Sequence, residues 1–263
     1  MTQSPEFATT AGRLLEHRGL RPARLAARAG VDEREITALL AGSTPDGEPL
    51  RRLAVPLGLP AVDLFVLAGL PVPGDLAPLS SAAGPWAAYL VMHGAHLTAE
   101  ERRELLDYVR SLPQEDRVHP GFAPRVPAPR ADLPGGRVIR MFRYRNLDWS
   151  HLAKVLAVIT PTYLSASTYG VVGSGRKELT PRLVTDFAAL LGVDAVELAG
   201  LTDVVLDEAP PPPAPEAVDA AALLWEARRL SAAQARQAAE LALSLRGDDT
   251  GYFLTNLPAR RRG

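Results

Sequence analysis

The sequence predicts an all-α fold in which one helical unit of roughly 130 residues occurs twice in tandem. Three observations carry this. Helical periodicity fills the chain between breaks, with almost no alternating strand pattern. The breaks are rich in proline, which fixes φ and lacks an amide donor: Pro71-Val72-Pro73-Gly74, the stretch from Pro113 to Gly136, and Pro210-Pro211-Pro212-Pro213-Ala214-Pro215. The segments between them resemble one another. Leu20 to Ala26 matches Leu147 to Ala153, and Ile36 to Gly42 matches Leu164 to Gly170. Leu57-Gly58-Leu59 matches Leu191-Gly192-Val193, and Ala61-Val62-Asp63-Leu64 matches Ala195-Val196-Glu197-Leu198.

The expected order is a helix-turn-helix domain over 9–70, a helical pair over 80–113 and a proline-rich linker over 114–135. A second helix-turn-helix domain follows over 136–207, then a second helical pair over 216–247 and a basic tail over 248–263. In the first domain, Leu25-Ala26 closes one helix, Gly30-Val31 makes the turn, and Asp32 caps a helix anchored by Ile36 and Leu39. In the second, Leu152-Ala153 is followed by Thr160 as N-cap, Pro161 at the first helical position, and Leu164 as anchor. Thr98 and Ser231 cap the later helices, with Glu101 at the capping-box position of the first copy. Each helical pair carries an apolar stripe, Leu105, Leu106, Val109 and Leu112 in one, Leu223, Leu224, Leu230, Leu241 and Leu245 in the other. These stripes are expected to pack on their own domain or to form a homodimer interface.

Composition sets bounds. Hydrophobic residues make up 47% and charged residues 22%, as in an ordinary globular protein, and there is no cysteine for a disulfide or thiolate metal site. No apolar run reaches the length of a membrane span, and the N-terminus lacks a signal-peptide pattern, so a cytoplasmic location is expected. The net charge of -1 gives no general basic field, so any contact with nucleic acid must come from a local patch.

The paired Leu-Ala, Gly-Val and capped-helix patterns resemble the Cro/repressor-like (XRE) family of helix-turn-helix transcription regulators, over about residues 11–70 and 137–201. Both copies depart from that family where a glutamine commonly opens the second helix, since Pro22 and Trp149 stand there. The resemblance implies a bacterial, sequence-specific regulator that binds double-stranded DNA as a homodimer, with no cofactor. The charges then rank the copies. Asp32, Glu33 and Glu35 crowd the start of the first recognition helix, where phosphates would approach. The second copy is rich in cations and offers a neutral polar helix. It is expected to be the main reader, with Thr160, Thr162, Tyr163, Ser165 and Ser167 on the helix and Arg143, Arg145, Lys154, Arg176 and Lys177 on phosphates. Arg21, Arg24, Arg28 and Arg34 keep DNA contact open for the first copy.

Other patterns are weaker. Gly170 to Lys177 touches the phosphate-loop pattern but follows a helix and ends in Arg-Lys-Glu, so a basic loop is expected. His93 and His96 have chelating spacing, yet without a third ligand they read as a helix-surface pair. No catalytic constellation is present, and an enzyme is not expected. Trp86 and Trp225 fit a core or a small-ligand pocket. The alternative to a DNA regulator is a protein–protein adaptor built on degenerate helix-turn-helix units, favoured by the net charge and the missing glutamines.

Overall fold

A computed structural model describes residues 5–117 and 129–247. The basic tail over 248–263 and half of the predicted linker, residues 118–128, lie outside the described residues. Among those described the protein is all-helical, with fourteen α-helices. The first half runs α1 (Pro5–His17), α2 (Pro22–Ala29), α3 (Glu33–Leu40), α4 (Gly47–Ala54), α5 (Ala61–Leu67), α6 (Gly84–Gly94) and α7 (Ala99–Ser111). The second runs α8 (Pro134–Arg143), α9 (Trp149–Ile159), α10 (Ala166–Gly173), α11 (Pro181–Leu191), α12 (Ala195–Thr202), α13 (Pro215–Ala227) and α14 (Ala232–Leu245). Five helices followed by a helical pair occur in each half.

Local signals explain most boundaries. Proline opens α2, α8, α11 and α13, where its fixed φ suits the first turn and no amide is missed. Pro134 and Pro215, which the sequence assigns to linkers, are therefore helix starts. Gly30 and Gly192 end α2 and α11 in the left-handed region, at φ 65° and 71°. Gly19 and Asn146 stand at matching places after α1 and α8 and both have positive φ, 58° and 64°. The expected capping box forms at Thr98 and Glu101, and a second forms at Ser231 and Gln234.

One contiguous apolar core runs through both halves, because the helical pairs pack on each other within the chain. Helix α6 lies along α14, and α7 along α13. Ala235, Ala238, Ala239 and Ala242 on α14 are buried, and such short side chains let two helices approach closely. Arg102 on α7 donates to Asp219 on α13 at 2.6 Å, and Gln234 donates to the Pro113 carbonyl at 2.8 Å. The stripes, expected to pack on their own domain or on a partner chain, meet each other within the chain. Two guanidinium groups lie over the Trp225 ring, that of Arg228 at 3.8 Å and that of Arg145 at 5.5 Å from its centroid. His93 is buried rather than on a helix surface, with His96 exposed beyond the end of α6.

Helix α6 starts hard against the second half. A Cβ on Gly84 would sit 2.6 Å from the Asn146 carbonyl oxygen, which is backbone and cannot swing aside. Asn146 is itself held by its side-chain amide, which donates to the Ser80 carbonyl at 3.0 Å. Gly84→Ala is expected to cost about 2 kcal/mol of stability, measured by urea unfolding, as overpacking does elsewhere.

The five-helix parts also exchange contacts: α1 packs on α12, and α5 on α8. In the repeat α1 corresponds to α8 and α5 to α12, so these two contacts are mates across a pseudo-twofold axis. Arg18 forms a bidentate pair with Glu197, with Nη2 to Oε2 at 2.6 Å, and Arg145 forms one with Asp63 at 2.9 and 2.8 Å. Arg18 matches Arg145 and Asp63 matches Glu197. Each arginine also donates to a backbone carbonyl of its own half, at the matching residues Leu57 and Leu191.

Candidate nucleic-acid interface

In the first half, α2 and α3 are joined by residues 30–32 alone. The Gly30 amide donates to the Ala26 carbonyl, the Val31 amide to the same carbonyl at 3.1 Å, and the Asp32 side chain caps α3 by accepting from the Arg34 amide at 2.8 Å. Leu25 and Ala26 on α2 and Ile36 and Leu39 on α3 point inward. What remains outside on α3 is a stripe at helical spacing: Arg34, Thr37, Ala38 and then Ala41 are exposed. Glu33 and Glu35 flank this stripe rather than occupy it. Arg21, Arg24 and Arg28, at three- and four-residue spacing, form an exposed basic row on α2.

The second half departs from the sequence expectation. Helix α9 ends at Ile159 and α10 begins at Ala166, so the connection takes residues 160–165. Thr160 is the C-cap of α9, not an N-cap: its amide and its hydroxyl both donate to the Leu156 carbonyl, each at 2.8 Å. Thr-Pro signals a helix start or a helix stop equally well, because the residue before proline is pushed out of the α region. Here it is a stop. Leu164 precedes the helix, and Tyr169 and Val172 take the inward places that Ile36 and Leu39 hold in α3.

The predicted contact residues separate accordingly. Thr162 is buried, and its hydroxyl donates to the Asp186 carboxylate. Tyr163 is 88% exposed in the connection, not on a recognition helix. Ser165 is the N-cap of α10, its hydroxyl engaged with those of Ser167 at 2.9 Å and Thr168 at 3.0 Å. Arg143 and Arg145 are corrected outright as phosphate contacts. Arg145 is 1% exposed and paired with Asp63; Arg143 is 5% exposed, and burial together with Arg140 lowers its pKa. Arg137 is buried too. Within residues 136–207 the exposed cations are Lys154, Arg176, Lys177 and Arg182. Nε of Arg176 donates to the Ser174 hydroxyl at 3.1 Å, and Arg182 to the Pro161 carbonyl at 2.9 Å.

On α10 the stripe matching Arg34, Thr37, Ala38 and Ala41 is Ser167, Gly170, Val171 and Ser174. Trp149 lies over it. A Cβ at Gly170 would stand 2.9 Å from the Trp149 ring, so only glycine admits the indole there. Trp149 holds the place of Pro22, and together with Pro129, Arg130 and Arg176 it walls the stripe into a shallow hollow. Beneath the helix, Tyr169 is fully buried with its hydroxyl unpartnered, and burial, helped by Asp186, pushes its pKa up to about 12. No group of three or more His, Asp or Glu side chains positioned for a metal occurs among the described residues, and no described helix is long and apolar enough to cross a membrane.

No protein-family model matches this chain, and comparison with curated proteins and with solved structures finds no match either.

The reciprocal arginine–carboxylate pairs are the main feature that sequence reasoning missed. Their signal was present, since both arginines stand two residues before the matched Leu20 and Leu147, and both acids lie inside the matched Ala-Val-Asp/Glu-Leu. Cation counts drew attention to Arg145 for its charge, whereas its repeat position gave its role.

Proposed function

We propose that this protein is a sequence-specific, double-stranded DNA-binding transcription regulator with two tandem helix-turn-helix heads. The observation that supports it most is the α2–α3 hairpin, with its three-residue turn, inward Leu25, Ile36 and Leu39, and outward stripe led by Arg34. The basic row Arg21, Arg24 and Arg28 lies on the adjoining helix, suited to phosphates. The second head adds exposed Lys154, Arg176 and Lys177. Base reading falls mainly to the first head, because Trp149 covers the matching stripe on α10.

Duplex affinity measured across a salt series tests the reading. Each phosphate contact contributes about 0.9 to the slope of log K against log salt, so Arg176→Ala with Lys177→Ala is expected to flatten it by about 2. Failure to bind any duplex at low salt refutes the proposal. The acidic flanks Glu33 and Glu35 favour a second reading, a protein–protein adaptor that never touches DNA. A stoichiometric protein partner co-purifying without nucleic acid would support it.

A further inference from the structure

We infer that one copy of this chain occupies one DNA site with two unequal halves: a base-read half under α3 and a phosphate-held half under the second head. This rests on the DNA-binding reading above and adds the stoichiometry and the form of the site.

Stoichiometry follows from the pseudo-twofold packing. A twofold dimer buries one patch of each subunit against the same patch of the other. Here the mates of that patch lie in one chain: α1 on α12 and α5 on α8, α6 on α14 and α7 on α13. The Arg18–Glu197 and Arg145–Asp63 pairs lock the two sides reciprocally. Two heads are therefore already paired, and the surfaces that pair them are consumed. Among the described residues, these surfaces are not open to a second copy.

Inequality follows from the two stripes. The stripe on α3 presents a guanidinium at Arg34 followed by methyl groups at Thr37, Ala38 and Ala41. In a major groove the guanidinium matches the O6 and N7 acceptors of guanine, and the methyl groups suit the C5 methyl of thymine. Glu33 and Glu35, on either side, meet phosphate poorly but can accept from a cytosine amino group. The stripe on α10 offers Ser167, Gly170, Val171 and Ser174, without a cation, beneath Trp149. Arg176 at its edge and the exposed Lys154 and Lys177 of the same head are point charges or forks for phosphate, which carries no sequence information. The consensus should thus hold a guanine-containing element at one end, no inverted repeat, and little information at the other end.

The test selects bound duplexes from a random pool with the full chain, then measures stoichiometry by sedimentation and contacts by footprinting. One chain per duplex, a non-palindromic consensus and a footprint longer than the informative element are expected. Arg34→Ala should weaken the selected duplex about tenfold or more and leave random duplex unchanged. Arg176→Ala with Lys177→Ala should weaken both duplexes by the same factor. All three side chains are exposed, so circular dichroism should show an intact fold. A palindromic consensus, two chains per duplex, or a change of base preference on Ser167→Ala overturns the inference while leaving DNA binding intact. Absence of binding to every duplex at low salt overturns the DNA reading and this inference with it.

Discussion

Asp63→Ala is expected to destabilise the protein by about 3–5 kcal/mol in urea unfolding, as breaking one side of a buried ion pair does. Asp63 is 0% exposed and Arg145 1%, so the substitution strands a guanidinium where water cannot reach it. Its remaining bonds, to the Met141 and Leu191 carbonyls at 3.2 Å, do not neutralise the charge. Replacing both partners, Arg145→Met with Asp63→Leu, should recover most of the loss, since the cost lies in the unpaired charge rather than in the missing pair. The mate across the pseudo-twofold axis gives the control. Arg18 and Glu197 are 23% and 10% exposed, so Glu197→Ala should cost only about 1–2 kcal/mol. Equal losses at the two sites would contradict this account of how the halves are joined.

Phe187→Ala should also cost about 3–5 kcal/mol, the usual penalty for emptying a fully buried aromatic site. Phe187 is 0% exposed and meets Phe142 edge-on at 5.1 Å and Tyr169 at 6.1 Å, tying α11 to α8 and α10. At a chain of this size the melting temperature should fall by roughly 10 °C. Because one apolar core runs through both halves, far-ultraviolet circular dichroism and tryptophan fluorescence should still give one coincident transition. An early transition confined to the second half, with the first half melting as before, would show that the core is divided.

The sequence exposed the helices of this protein better than its site. Repeat order, the α2–α3 turn around Gly30 and the Thr98 cap rest on contacts between residues a few positions apart, and such contacts leave a local pattern. Thr160-Pro161 misled because the same dipeptide opens or closes a helix, and the choice depends on what Leu164 and Tyr169 bury. The cation-rich character of the second copy was overstated for a related reason. Counting cations along 137–182 treats every arginine as surface, yet Arg137, Arg143 and Arg145 are buried.

By itself the sequence determined that the chain is helical and where helices such as α3, α7 and α14 are capped, because those properties follow from periodicity and capping residues within each segment. Only the tertiary structure decided that the helical pairs close on each other inside one chain, and that Arg145 is a buried latch rather than a phosphate contact. It alone placed Trp149 over the stripe of α10 and left that of α3 open. Each of these depends on residues distant in the chain meeting in space. The free energy of such a meeting, through burial and desolvation, is set by surroundings that no single segment contains.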